Sequence, residues 1–312
     1  MKSIIKGLVA TLLLATGIVA NAAQDIQIYT ADNSSGKITA ESIEKSFKDA
    51  GFYITTNNNM NRAFDSKYKV TNHKLYHLIV LHKEDLASKL IKTSPKAALI
   101  SPLSMSIYTN KGSNNISISS ISLDGMSKLT GISKTDKDLV ELSRVVRATL
   151  KKALPNGKFE KTSYKVLKPE GELVTKFKWE MDVEPKEIED ELEGFQEEIE
   201  GSLETVGFVI AGFNKLKEAF SKEEQAKYDF FDAYSICKIP VIFEVAKTHP
   251  EAGAFAPCTF YMYKLKGSKD VHMAFPSVYN WISSLDIKDA PSKKVLKDAQ
   301  KAFVDTVNET IE

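Results

Sequence analysis

Apolar and polar residues alternate with period two through ELVTKFKWEMDV, residues 172–183, which is the pattern of a half-buried strand. The period then changes. Between Glu184 and Glu204 the apolar residues Ile188, Leu192, Phe195, Ile199 and Leu203 recur every three or four positions along an acidic run. That spacing predicts an amphipathic helix with a solvated carboxylate face. GFVIAGF and FFDAYSICK read as the next two strands. Pro240 opens a short helix, where its missing N–H costs nothing, and Val241, Ile242, Val245 and Ala246 form one face of it. CTFYMYKLKGSKDVHMAF reads as a hairpin turning at Lys266-Gly267-Ser268, followed by a C-terminal helix.

The same succession occurs earlier in the chain. GFYITTNNNMNRAF begins at Gly51 and GFVIAGFNKLKEAF at Gly207; KTSPKAALISPLSMSIYTNKGS begins at Lys92 and KTHPEAGAFAPCTFYMYKLKGS at Lys247. Pro95 matches Pro250, Pro102 matches Pro257, Tyr108 matches Tyr263 and Gly112 matches Gly267. An offset of about 155 residues is far longer than a solenoid unit and implies two copies of one domain. The expected fold is therefore α+β: two similar layer-sandwich domains, each a mainly antiparallel sheet with helices packed on one face. The boundaries read as a first repeat over 23–154, a polar linker over 155–171 and a second repeat over 172–312. The two repeats are expected to pack as an internal pseudo-dimer.

Residues 1–22 carry a different signal. Lys2 and Lys6 precede an apolar run from Gly7 to Ala20, and Ala20-Asn21-Ala22 supplies the small residues of a cleavage site. The run is too short for a membrane span and right for a secretory signal peptide cut after Ala22. The expected location is the bacterial periplasm, with no integral membrane segment after cleavage. A net charge of +1 leaves no global field to recruit nucleic acid.

The stretch from Cys237 to Tyr263 resembles the bacterial family known as domain of unknown function 302. Its members carry a strand ending in cysteine, a short helix, a PE-x-G turn and a strand starting PC. Here those features are Cys237, then Pro250-Glu251-Ala252-Gly253, then Pro257-Cys258; where the family shows Asn-Pro after the first cysteine, this chain has Lys238-Ile239 before Pro240. The resemblance implies an α+β fold and no established activity. It is clear in the second repeat, whereas the first follows through the internal match, with His82 and Leu103 at the two cysteine positions.

Cys237 and Cys258 are the only cysteines, and three readings of them compete. An even count in an exported protein favours a structural disulfide, closing a loop of about 20 residues and stabilising the fold by roughly 3 kcal/mol. A redox or metal-binding dithiol is the second reading: a helix N-terminus and the adjacent Lys238 would lower the pKa of Cys237, with His249 in the same segment. Two buried free thiols acting as small hydrophobes are the third. The disulfide is the expectation adopted.

His73, His77 and His82 lie close in sequence, but His77 and His82 fall on opposite faces of a strand, so a shared metal would need a bulge. ISISSISLDG, beginning at Ile116, reads as a half-buried strand with serines outward. Phe260 and Met262, which share a strand face with Cys258, and His82 are candidate pocket residues. No phosphate loop, dinucleotide fingerprint, zinc-protease helix or nucleophile motif is present, so no catalytic residue, metal ligand or cofactor is assigned. The function expected is non-enzymatic binding of an unidentified small molecule or periplasmic protein, in a cleft between the repeats or between sheet and helices. The rival is a thiol-based redox or metal protein using Cys237 and Cys258. Asymmetric activity is expected in the second repeat, which alone holds both cysteines.

Overall fold

The structure is a computed structural model that describes residues 24–312, so the apolar leader and its cleavage site lie outside the described residues. The first half runs β1 (Ile26–Asp32), α1 (Ala40–Asp49), β2 (Tyr53–Asn59), α2 (Met60–Tyr68), β3 (His73–His82) and α3 (Glu84–Thr93). A 3-10 turn over Pro95–Ile100 leads into β4 (Leu103–Asn110), β5 (Asn115–Ile121), α4 (Leu123–Thr130) and α5 (Lys137–Ala153). A two-residue strand, β6 (Lys158–Phe159), follows. The second half runs β7 (Val174–Glu180), α6 (Ile188–Thr205), β8 (Val209–Lys215), α7 (Lys222–Gln225), β9 (Tyr228–Cys237) and α8 (Ile239–Val245). A 3-10 turn over Pro250–Phe255, β10 (Cys258–Leu265), β11 (Asp270–Pro276), α9 (Val278–Ser284) and α10 (Ala290–Ile311) complete it.

Two antiparallel sheets result. One has the order β2-β3-β4-β5-β1-β6 and the other β7-β11-β10-β9-β8. Read from its other edge, the second sheet repeats the first strand for strand, apart from β6. The two tight hairpins, β4–β5 and β10–β11, turn at Gly112 and Gly267 with φ of 76° and 75°, a region open to glycine at no steric cost. The α+β architecture expected from the periodicity is the one observed.

The helices form because their ends are satisfied and one stripe of each is apolar. Thr39 caps α1 in a reciprocal box with Ser42, Asp136 caps α5 and Asp289 caps α10. No side chain caps α6, but Glu189, Asp190 and Glu191 in its first turn complement the helix dipole. Its buried stripe is Phe195, Ile199 and Leu203, as the spacing predicted. Phe303 of α10 is fully buried against the rings of Phe177, Phe260 and Phe275, at centroid distances of 6.0, 5.2 and 4.2 Å.

The faces turned away from the helices meet each other. Pro250–Phe255 lies on β4 and β5, and Pro95–Ile100 lies on β10 and β11. This corrects the half-buried reading of the serine strand: Ser106 and Ser119 are fully buried and Ser117 nearly so. The Ser106 and Ser119 hydroxyls sit 2.6 Å apart and reach the carbonyls of Pro250 and Glu251, each at 2.9 Å. Tyr76 donates to the Pro250 carbonyl at 3.0 Å. Small hydroxyls let the turn approach closely while pairing its carbonyls. Tyr261 of β10, the strand on which Pro95–Ile100 lies, is likewise buried.

The segment read as a polar linker is fastened to both halves. Phe159 of β6 pairs with Tyr29 of β1, the Tyr164 hydroxyl donates to Glu251 Oε1 at 3.0 Å, and the Leu167 amide donates to the Ser283 carbonyl at 2.8 Å. Among the described residues no helix is long and apolar enough to cross a membrane.

Candidate functional site

Where the edge strand β2 of one half meets β8 of the other, they enclose a cleft of about 550 Å³. One wall is polar and comes from the first half: Glu41, the run Asn57–Asn59, Arg62 and His77. The opposite wall, Val209, Ala211, Cys237, Ile239 and Pro257, comes from the second half and is mostly apolar.

The polar wall has a defined protonation pattern. The Asn57 amide donates to Glu44 Oε2 at 2.9 Å, which turns its oxygen toward His77 Nδ1, also at 2.9 Å. An oxygen accepts only, so His77 carries its proton on Nδ1 and leaves a lone pair on Nε2. Burial lowers the pKa of His77, and nearby Glu41 only partly offsets this. The imidazole is therefore neutral near pH 7 and presents an acceptor. Arg62 on α2 is exposed and forms no ion pair with another described residue, so its guanidinium is free to donate. Glu41 adds a carboxylate whose pKa is lowered, chiefly by its backbone hydrogen bond in the first turn of α1.

The sequence-derived residues are distributed differently. Cys237 and Cys258 are free thiols, which corrects the expected disulfide. The register explains it. Cys258 pairs with Ile236, and Cys237 pairs with Val209 on the other side of β9. Cys258 therefore lies directly beside Ile236, one position away from Cys237, and the two thiols are not cross-strand partners. Both residues border an apolar cavity of about 40 Å³ together with Trp281, Phe208 and Leu296. The expected activation of Cys237 is also reversed: burial pushes its thiol up to about 12, outweighing a hydrogen bond from the Lys238 amide. Burial raises the pKa of Cys258 as well, and its Sγ contacts the Phe255 carbonyl at 3.2 Å.

Lys238 reaches away from the thiol. Its Nζ donates to the Val206 carbonyl at 2.8 Å and sits 4.7 Å from the centre of the Phe208 ring. His249 flanks the Pro250 turn, with Nδ1 at 2.9 Å from the Thr248 hydroxyl. Phe260 and Met262 are fully buried core residues. His82 is buried beside Tyr53, and neither of its ring nitrogens has a hydrogen-bond partner. His73 bridges the halves, with Nε2 at 2.9 Å from the Ala246 carbonyl. Among the described residues no group of three His, Cys, Asp or Glu could hold a metal ion.

Sequence reasoning missed the His77–Asn57 pair and Arg62. The triple asparagine at the end of β2 was the available signal, since polar amides there have no ladder role of their own. It also missed Asp232, a carboxylate at a helix-facing position of β9 between Phe230 and Tyr234.

Residues 29–156 match the family described as domain of unknown function DUF302. The resemblance was expected between Cys237 and Tyr263, whereas the match falls on the first half, which contains no cysteine, so the sulfur positions do not carry it. A crystal structure of an uncharacterized conserved DUF302 protein from Bacillus stearothermophilus is similar at 16% identity. It covers 44% of this chain and 98% of that chain, with a TM-score of 0.34. A search of curated proteins found no match.

Proposed function

We propose that the protein binds a small polar molecule in the cleft between its halves, and that the second half is a diverged second copy of the first. The observation that carries the binding reading is the wall built by Asn57, Arg62 and His77, with an acceptor and a donor turned into about 550 Å³ of open space. That volume lies in the range of small-molecule sites, and an apolar wall facing a few oriented polar groups is their usual composition. The copy reading is supported by the shared strand order and by matched motifs at a near-constant offset. Export to the periplasm is part of the proposal and rests on residues 1–22. The thiol-based alternative has less support, because half-buried thiols with raised pKa values are poor nucleophiles and poor soft-metal ligands.

The test is a thermal-shift panel of amino acids, sugars, carboxylates and nucleosides on the mature chain, followed by calorimetry of any hit. A ligand of the cleft loses about tenfold or more in affinity with His77→Ala or Arg62→Ala. It is excluded by Val209→Trp, which fills the apolar wall. Hits indifferent to all three variants, or an entirely silent panel, would overturn the reading.

A further inference from the structure

A second and larger cavity, of about 750 Å³, opens in the second half between α6 and the β8–β9 pair. At its base is Asp232, only 3% exposed. Gln196 Nε2 donates to Asp232 Oδ2 at 2.9 Å, and among the described residues no Lys or Arg forms an ion pair with the carboxylate, whose other oxygen is not sealed from the cavity. Buried carboxylates in proteins are ordinarily paired, since desolvating an unpaired charge is costly. Here the unpaired oxygen belongs to a residue that lines an open cavity.

We propose that this cavity is a binding site for an aliphatic amine, whose ammonium group pairs with Asp232 while its carbon chain lies along Ile188, Leu192 and Phe230. The charges around it fit. Glu189, Glu193 and Glu218 line the cavity, whereas Asp229 is already neutralised by Lys264 at 2.5 Å. Lys217 is engaged with the Asp229 carbonyl at 2.8 Å. Lys215, which faces Asp232 in the β8–β9 register, and Lys266, which also lines the cavity, are the cations that would compete. A divalent metal is a poorer fit, because the cavity offers no set of three ligating side chains among the described residues. A half-apolar wall suits an organic cation and would do nothing for a bare ion.

The site differs in kind from the inter-half cleft. Asp232 stands opposite Lys215 in the β8–β9 ladder as His77 stands opposite Asn59 in the β2–β3 ladder. One fold position thus offers a neutral lone pair in one half and a carboxylate in the other. The two sites are tested separately, and either can fail alone.

Calorimetric titration of the full mature chain with n-pentylamine and 1,5-diaminopentane at pH 7.5 tests the proposal, with calcium chloride as the control. Saturable amine binding is expected, weakened about tenfold or more by Asp232→Asn. That change is isosteric and keeps the partner of Gln196, and circular dichroism verifies the fold. Lys215→Ala is expected to tighten binding, which a merely structural Asp232 would not produce. Lack of saturable amine binding, equal affinity in Asp232→Asn, or displacement of the amine by calcium would each overturn the assignment.

Discussion

Ser104 Oγ donates a 2.7 Å hydrogen bond to the main-chain carbonyl of Pro257, across the junction of the two halves. Its counterpart runs in the opposite direction: Thr259 Oγ1 reaches the Pro102 carbonyl, at 3.5 Å. Ser104 and Thr259 are 155 positions apart, as are Pro102 and Pro257, so a contact made by one half is returned by the other. That is the reciprocity of a two-fold dimer interface, realised here within one chain. The two bonds are unequal in length, and their energies should be too. Ser104→Ala leaves the Pro257 carbonyl unpaired in a buried junction and should cost about 1–2 kcal/mol. Thr259→Val, which breaks a contact at the limit of hydrogen bonding, should cost less than about half of that. Urea unfolding of the two variants measures the difference, and equal losses would contradict the asymmetry.

Gly253 lies in the same junction, where the two halves approach closely. A Cβ there would lie 2.5 Å from Ser106 Cβ and 2.6 Å from Leu78 Cδ2. Ser106 Cβ cannot move without moving β4, so Gly253→Ala should destabilise by roughly 2–3 kcal/mol. Gly194 provides the control. It sits in α6, where an added Cβ would meet nothing within 4 Å, so Gly194→Ala should stabilise by up to about 1 kcal/mol through helix propensity. Opposite signs in denaturant midpoints are the expected result.

These two residues also show what the sequence made legible. The PE-x-G motif was visible as a motif, and its residues prove to be a docking piece: Pro250 and Glu251 give carbonyls to the serines, and Gly253 allows the approach. What period-two alternation could not show was the cover over the serine face, because it comes from about 130 residues further along the chain. The serines of the strand beginning at Ile116, Ser119 among them, therefore looked like solvent-facing positions. The α6 stripe, the short helix opened by Pro240 and the hairpin at Gly267 were readable because each depends on local pattern and turn chemistry. The cysteine geometry was not readable, since it depends on the β9–β10 register, which pairs Cys258 with Ile236 and not with Cys237. A cleft between the halves was expected, but its lining was not legible: the two walls come from different halves, and the asparagine run at the end of β2 was the local hint.

The thiols give a chemical check on that register. With Cys237 pushed up to about 12 and Cys258 also raised by burial, alkylation by iodoacetamide at pH 8 should be slower in the native protein than after unfolding. The expected factor is about a hundred or more, since rate follows the thiolate fraction. Diamide should leave the native protein without an internal disulfide. Mass spectrometry of the quenched products reads both outcomes. Rapid formation of a Cys237–Cys258 bridge in the folded state would show that the β9–β10 pairing is not the one described.

Asp232 makes stability depend on pH with a definite sign. Burial raises its pKa from 3.8 to about 6 in the folded chain, opposed by the hydrogen bond from Gln196 and by the nearby Lys215 and Lys217, while Glu218 adds to the shift. Below the unfolded value both states hold the proton, and the residue contributes nothing to the pH dependence. Between that value and about pH 6 the unfolded chain releases its proton first, so stability falls as pH rises. Above that window the cost is constant, on the order of 2–3 kcal/mol. Asp232→Asn should therefore stabilise the protein by about that amount at pH 7.5 and have almost no effect near pH 3.5. Urea unfolding of wild type and variant across this range measures the crossover. A bound amine would oppose the same cost, so 1,5-diaminopentane at pH 7.5 should raise the stability of the wild type and leave Asp232→Asn unchanged. A variant equally stabilised at both pH values would mean that the charge of Asp232 is not the source of the effect.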